Sequence, residues 1–332
     1  MVESTPGNNG RKRKHDFRDD WVYRTASGVA VMADSLDVLK SLPDGSVNAI
    51  ITSPPFALQR QKAYGNVEEH DYIDWFLEFA KEFKRVLTDD GSLVIEIGGA
   101  WLPGQPLRSI YQFELLVRLV NDLGFGLAED FYWHNPAKLP GPAEWVTIQR
   151  IRVKDSVSNI WWLCKTPRPK ASNRRVLREY SDSQKKLFKH GYNKGLRPSG
   201  HVIGDKFGND NGGAISPNLI EAVPEDSDES WPTNLIKVSN TRSYDDYQHF
   251  CKANDLVVHP ARFPSEIPEF FVRMLTEPND LVLDPFAGSN LTGAIAQRLD
   301  RRWMAIDLDD EYLIGSLGRF LEVDGLEVNV RA

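Results

Sequence analysis

Three stretches carry side chains whose types and spacing suit chemistry. The first is Thr52-Ser53-Pro54-Pro55-Phe56. Consecutive prolines have fixed φ and no N–H, so neither strand nor helix can run through them. What they leave is a rigid, extended tetrapeptide that presents the Ser53 hydroxyl, the Pro54 carbonyl, the Pro55 ring and the Phe56 ring together. Taken alone, a plain proline turn accounts for it equally well. The second stretch is Asp284-Pro285-Phe286-Ala287-Gly288-Ser289-Asn290, with Asp307 lying 23 positions after Asp284. A glycine loop between a strand and a helix, closed by an acidic residue after the next strand, has the layout of a nucleotide-type cofactor site. It lacks the G-x-G-x-x-G of NAD and FAD sites. The third is Glu96, the one charged residue in the apolar run Ser92 to Gly99. A buried, unpaired carboxylate is costly, so Glu96 either faces an active cleft or has a partner, with an Arg or Lys as good a candidate as any.

These residues need elements to hold them. Val47 to Ile51 reads as a buried strand of the parallel type that delivers the tetrapeptide at its carboxyl end, where open α/β sheets bind ligands. Gly28 to Asp34 is a short strand ending in an acidic residue, followed by a helix from Ser35 to Leu42. Tyr72, Trp75, Phe76, Phe79, Phe83, Val86 and Leu87 recur at helical spacing and read as core packing. Asp89-Asp90-Gly91 ends that helix, and Ser92 to Gly99 is the next central strand. A helix from Ile110 to Leu123 and a strand from Asn159 to Cys164 follow. From Lys165 to Asn254 apolar periodicity is weak, and Pro224 to Pro232 is an acidic loop. Order resumes with a helix opened by Pro264-Ser265, the strand Leu281 to Leu283, the helix Leu291 to Leu299 and the strand Trp303 to Ile306.

With 332 residues and 41% hydrophobic content, the chain can build a sizeable α/β core. It has no long apolar run and no signal peptide, so a soluble, cytoplasmic and nucleoid-associated protein with no membrane contact is expected. Its two cysteines are too few for a disulfide or zinc framework, and no metal site is expected. Net charge is −7, yet residues 147–209 hold 15 Lys+Arg against 4 Asp+Glu. That asymmetry points to one basic face on an acidic molecule. Residues 1–18, with Arg11-Lys12-Arg13-Lys14-His15, read as a disordered basic arm.

Ser53-Pro54-Pro55-Phe56 followed much later by Asp284-Pro285-Phe286-Ala287-Gly288-Ser289 resembles the DNA amino-methyltransferases that use S-adenosylmethionine. Within them the chain most resembles the cytosine-N4 group of the PvuII type. The resemblance runs from about Asp34 to Leu321, through Ala57-Leu58-Gln59-Arg60, Asp130-Phe131-Tyr132-Trp133 and His259-Pro260-Ala261-Arg262-Phe263-Pro264. Having the tetrapeptide before the cofactor loop is the permuted motif order of one branch. The resemblance implies a Rossmann-like methyltransferase fold with a mixed, mostly parallel sheet over residues 19–164 and 255–332. It also implies an inserted target-recognition region at 165–254 that meets double-stranded DNA. A cognate restriction endonuclease, and a monomer or homodimer, go with that setting.

By the same resemblance, Asp284, Phe286, Ala287, Gly288 and Ser289 line the cofactor, and Asp307 takes both ribose hydroxyls. Asp34 contacts adenine, and Phe263-Pro264 lies beside the methionine moiety. The helix start at Leu291-Thr292 offers oriented N–H groups. Asn290 stands where most of the family has glycine, and asparagine is the next best residue for a left-handed conformation. Ser53 and the Pro54 carbonyl accept from the cytosine amine, Phe56 stacks on the base, and Glu96 relays a proton through Ser53. Because the reaction cannot occur inside a duplex, the base is flipped out. Neither Cys164 nor Cys251 follows a proline, which excludes C5-cytosine chemistry. An adenine-N6 enzyme, an RNA methyltransferase and a DNA-binding protein without catalysis remain as alternatives.

Overall fold

The computed structural model describes residues 20–56, 69–136, 138–191, 195–196, 198, 200, 202–203, 209–221, 236–237, 245–262 and 264–329. The basic arm, Ala57 to Arg60, the acidic loop 224–232 and Phe263 lie outside them. The chain opens with β1 (Trp21–Arg24), β2 (Gly28–Met32), α1 (Ser35–Ser41) and β3 (Val47–Thr52). It continues through α2 (Glu69–Val86), β4 (Leu87–Ile97), α3 (Tyr111–Asn121), β5 (Gly126–His134) and β6 (Val157–Cys164). Next come α4 (Asp182–His190), the short strands β7 (Gly195–Leu196), β8 (Val202–Ile203), β9 (Leu219–Glu221) and β10 (Ile236–Lys237), and α5 (Asp246–Ala253). The last stretch holds α6 (Glu266–Leu275), β11 (Leu281–Asp284), α7 (Leu291–Arg298), β12 (Arg302–Asp307), α8 (Asp310–Ser316) and β13 (Glu327–Val328).

Among the described residues one sheet of 11 strands has the order β10-β9-β5-β6-β4-β3-β11-β12-β2-β1-β13. The centre, β4-β3-β11-β12-β2, is parallel throughout, while β6 is antiparallel to both its neighbours and β1 closes the far side antiparallel. The sheet is therefore mixed and mostly parallel, a Rossmann-like α/β fold. Strand alternation splits the core between two faces. Val94, Ile160, Trp162 and Trp303 pack with Phe270, Phe271 and Ile295 of α6 and α7. Leu93, Ile95, Trp161 and Leu163 pack with Leu39, Phe76, Phe83 and Leu115 of α1, α2 and α3. The adjacent tryptophans thus serve opposite faces, as a period of two requires.

Two boundaries differ from expectation in kind, and one packing contact was not expected. β4 begins at Leu87, directly after α2, so Asp89-Asp90-Gly91 lies inside the strand rather than between helix and strand. The ladder to β3 jumps from Val47↔Leu87 to Ala49↔Ser92, and the three residues are the irregularity that absorbs the jump. Asp34 is not the end of β2 but the N-cap of α1, its carboxylate accepting from Leu36 N at 2.8 Å. Finally, α5 packs against α8 and the short turn Leu317–Arg319 of the cofactor half, with Tyr247 and Cys251 buried.

The topology positions the site. From β3 the chain moves on through α2 to β4, on one side; from β11 it moves through α7 to β12, on the other. A crevice opens outside the carboxyl ends where such connections diverge. Both chemical stretches, Ser53–Phe56 after β3 and Asp284–Asn290 after β11, start there.

Candidate active site

Between these two chain ends lies a cavity of about 410 Å³. Its wall takes Ser53, Pro54, Pro55 and Phe56 from one side and Asp284, Pro285, Phe286, Ala287, Gly288 and Ser289 from the other. The Ser53 hydroxyl donates to Glu96 Oε2 at 2.6 Å. With its proton committed there, the hydroxyl oxygen keeps its lone pairs for a donor arriving from the cavity. Glu96 is 5% exposed. Burial pushes its carboxyl above the usual range, and the hydrogen bonds of Ser53 and Ser158, then the charge of Lys138, pull back against that. The direct partners are therefore serines, and the lysine acts only as a more distant charge. Phe56 fits because residue 98 has no side chain: a Cβ on Gly98 would lie 2.7 Å from the Phe56 ring.

On the cofactor side, backbone geometry does most of the shaping. Gly288 has φ +49, where a side chain is strained, and an added Cβ would come within 3.1 Å of the His259 ring. Gly288 N donates to Asp307 Oδ2 at 2.7 Å and Asp309 N to Asp307 Oδ1 at 3.0 Å, so Asp307 ties the loop to the end of β12. Each carboxylate oxygen retains lone pairs for a further donor. Burial raises its pKa, and the backbone N–H groups of Asp309, Gly288 and Leu308 work against that. Asp284 is buried beneath the loop, accepts from Thr52 Oγ1 at 2.7 Å and from Phe286 N at 3.2 Å, and burial lifts its pKa from 3.8 to about 6. Asn290 adopts φ 46, ψ 43, the left-handed conformation expected for it. Its side chain accepts from Gly293 N at 3.1 Å, which caps α7, and donates to the Tyr23 hydroxyl at 2.7 Å.

The expected site residues divide into wall and support. Asp34, Ser53 to Phe56, Asp284, Phe286 to Ser289 and Asp307 line the cavity. Glu96, Asn290 and Thr292 stand behind it, buried, and Pro264 is buried at the start of α6. Some wall residues carried no site assignment in the sequence: Trp75, Phe79, His259, Arg262 and Tyr312 among them. The first two belong to the aromatic stripe of α2. Their rings lie 5.9 and 5.2 Å from Phe286, so the stripe packs the core and also walls the cavity. His259 and Arg262 sit in a motif already singled out, and their polarity among apolar neighbours was the available signal.

The wall combines carboxylates at Asp34, Asp284 and Asp307 with the Arg262 guanidinium and the aromatic faces of Phe286 and Trp75. Such a set suits an amphoteric ligand bearing cationic centres, one carboxylate and a flat ring. Comparison with known proteins agrees. The family model described as DNA methylase matches residues 47–315. The type II methyltransferase M.PvuII of Proteus hauseri is 49% identical over 303 residues, 90% of this chain and 85% of that protein. The chain belongs to the DNA methylase family. A solved PvuII DNA methyltransferase, described as cytosine-N4-specific, superposes with TM-score 0.72 at 42% identity, covering 93% of this DNA methylase and 92% of the other chain. A DNA modification methylase from Thermus thermophilus, solved with S-adenosyl-L-methionine, shares the fold at TM-score 0.51 and 21% identity, over 87% of this chain and 91% of that one. The cofactor of the family is S-adenosylmethionine, and the charge pattern of the wall fits it. No helix among the described residues is long and apolar enough to cross a membrane.

Proposed function

We propose that this DNA methylase modifies the exocyclic N4 of a cytosine flipped out of duplex DNA, at a specific site and in a restriction-modification setting. The observation that carries the reading is the 2.6 Å bond from Ser53 to Glu96. A cytosine amine is a poor nucleophile because its lone pair is delocalised into the ring. Two acceptors, Ser53 Oγ and the Pro54 carbonyl, draw its two N–H groups out of conjugation and leave the nitrogen lone pair free. The bond to Glu96 turns the serine into an acceptor by occupying its own proton. Phe56, set against Gly98, offers a face for the base. When bound, S-adenosylmethionine supplies an electrophilic methyl group on sulfonium sulfur. Asp307 would hold its ribose, Asp34 its adenine and Arg262 its carboxylate. The proton shed by the amine passes to Ser53 as Ser53 hands its own to Glu96, whose raised pKa makes it a better acceptor than an ordinary carboxylate.

Cytosine rather than adenine is supported by the serine at position 53 and by the likeness to an enzyme described as cytosine-N4-specific. Residues 165–254 we assign to target recognition, with Arg, Lys, Asn and Gln side chains meeting base edges and phosphates; α5 at the end of that range would join it to the cofactor half. A partner endonuclease reading the same site completes the setting. The test is to incubate the protein with duplex DNA and labelled cofactor, digest, and identify the product nucleoside by mass spectrometry. N4-methylcytosine is expected. N6-methyladenine would overturn the choice of base, and label confined to RNA the choice of polymer.

A further inference from the structure

The loop joining β5 to β6, residues 135–156, leaves the sheet at the same end as Ser53. β3 and β4 run parallel, β6 reverses and β5 reverses again, so the carboxyl end of β5 lies three strand spacings from that of β3, about 14 Å. Its described residues are tied together from within: Asn135 N bonds Ser156 O at 2.8 Å, Gln149 N bonds Glu144 O at 2.8 Å, and Ile151 N bonds Trp145 O at 3.0 Å. It is also tied to the catalytic edge. The Arg152 guanidinium lies over the Trp101 ring at 5.4 Å and donates to the Pro106 carbonyl, Asp155 pairs with Arg108 at 3.4 Å, and Ser158 just beyond the loop bonds Glu96.

What this loop shows to solvent is inverted. Arg152 turns to the protein body, onto Trp101 and the Pro106 carbonyl, while Lys154 folds back across the loop onto its own Pro136 carbonyl at 2.5 Å. The aliphatic residues turn out: Leu139 is 84% exposed, Ile148 70%, Ile151 57% and Val153 87%. Four exposed aliphatic residues on one hydrogen-bonded loop mark a contact surface rather than a solvated one. At the crown, Arg150 is exposed and holds φ +56, a strained conformation for a residue with a side chain. We propose that this loop is the wedge that opens the duplex, its aliphatic side chains entering the base stack beside the extruded cytosine while Arg150 takes a neighbouring phosphate. Aliphatic side chains inserted between base steps are a general means of unstacking DNA, and here they stand on the sheet end that opens onto the cavity, three strand spacings from Ser53.

The proposal rests on the reading of duplex cytosine as substrate, and the test separates the two. The variant Ile148→Ser/Ile151→Ser/Val153→Ser changes only exposed side chains. Single-turnover methylation is measured on a duplex carrying a mapped target cytosine, and on the same duplex with that cytosine mispaired, which removes most of the opening cost. The expected result is a fall of about 10–100-fold on the paired duplex and little change on the mispaired one, with cofactor binding unaltered. An equal loss on both duplexes, or no loss on the paired one, overturns the wedge. A wild-type protein that leaves cytosine unmodified in both duplexes overturns the substrate reading instead, and the wedge with it.

Discussion

In the proposed mechanism Ser53 is the residue on which the chemistry turns, and its environment lets its contribution be isolated. It sits at a strand end, half-buried, with its hydroxyl on Glu96. Replacing it with alanine removes an acceptor without opening a core cavity. Ser53→Ala should leave folding, cofactor affinity and duplex affinity near wild type, because phosphate contacts dominate the last of these. The single-turnover rate should drop by about 10²–10⁴, the scale for one positioned polar group. A variant with the unaltered rate would remove Ser53 from the mechanism. Its position before two prolines at the end of an apolar strand was legible in the sequence; the role proposed for it was not, since a plain proline turn suits the same residues and only the family resemblance spoke for chemistry. Ser53 as a partner of Glu96 came only through that resemblance, and Ser158 was not foreseen. A carboxylate in a strand advertises that a partner exists, while Ser53 and Ser158 stand 43 residues before and 62 after it.

Elements hold the aromatic face of the site through close approach rather than through bonds. Gly98, one residue beyond β4, leaves the space that the Phe56 ring fills. Gly98→Ala should push that ring aside and lower the methylation rate by about tenfold while the melting temperature moves little, since residue 98 lies past the end of the strand. Phe56→Leu in the wild-type background should lower the rate by a similar factor, and adding it to Gly98→Ala should restore nothing, because both changes withdraw the same ring from the base. A Gly98→Ala enzyme with normal kinetics would mean that Phe56 does not stack on substrate. The strands and helices themselves were largely readable. β3, β11 and β12 are mostly buried and read as apolar runs broken only at Asn48 and at the strand ends, and α6 declares itself through one apolar stripe. The irregularity at Asp89-Asp90-Gly91 was not readable, since the triplet is equally a helix stop or a ladder fault until β3 sets the register. Likewise, the stripe of α2 could not announce that Trp75 and Phe79 meet Phe286, because that contact joins elements some 200 residues apart.

At the scale of the whole molecule, the cavity is held open at a cost in stability. Asp284 is buried with its pKa raised to about 6 from 3.8, so the folded state holds a proton that the unfolded chain has released. The sign follows: this group favours folding most below pH 3.8, and that contribution is lost as pH rises through about 6. Asp284→Asn escapes the loss. Its stability relative to wild type in urea should therefore climb by about 1–3 kcal/mol between pH 4 and pH 7. The same variant should bind S-adenosylmethionine more weakly at pH 7, for it removes a carboxylate from the wall. A relative stability that stays flat over that range would show that Asp284 titrates normally.

Strand order carries a consequence for how such a protein comes into being. β2 and β3 are consecutive in the chain, yet β11 and β12 lie between them in the sheet. The bond from Thr52 to Asp284 spans 232 residues. On the ribosome, then, the first half emerges as two separate pieces of sheet with an unfilled slot between them, and β3 waits as a bare apolar edge until the last fifth of the message is read. Only when that segment slides into the slot do the halves of the cavity meet. A nascent or prematurely terminated chain can carry the whole basic stretch 147–209 and still be chemically silent, which ties the activity to the completion of translation.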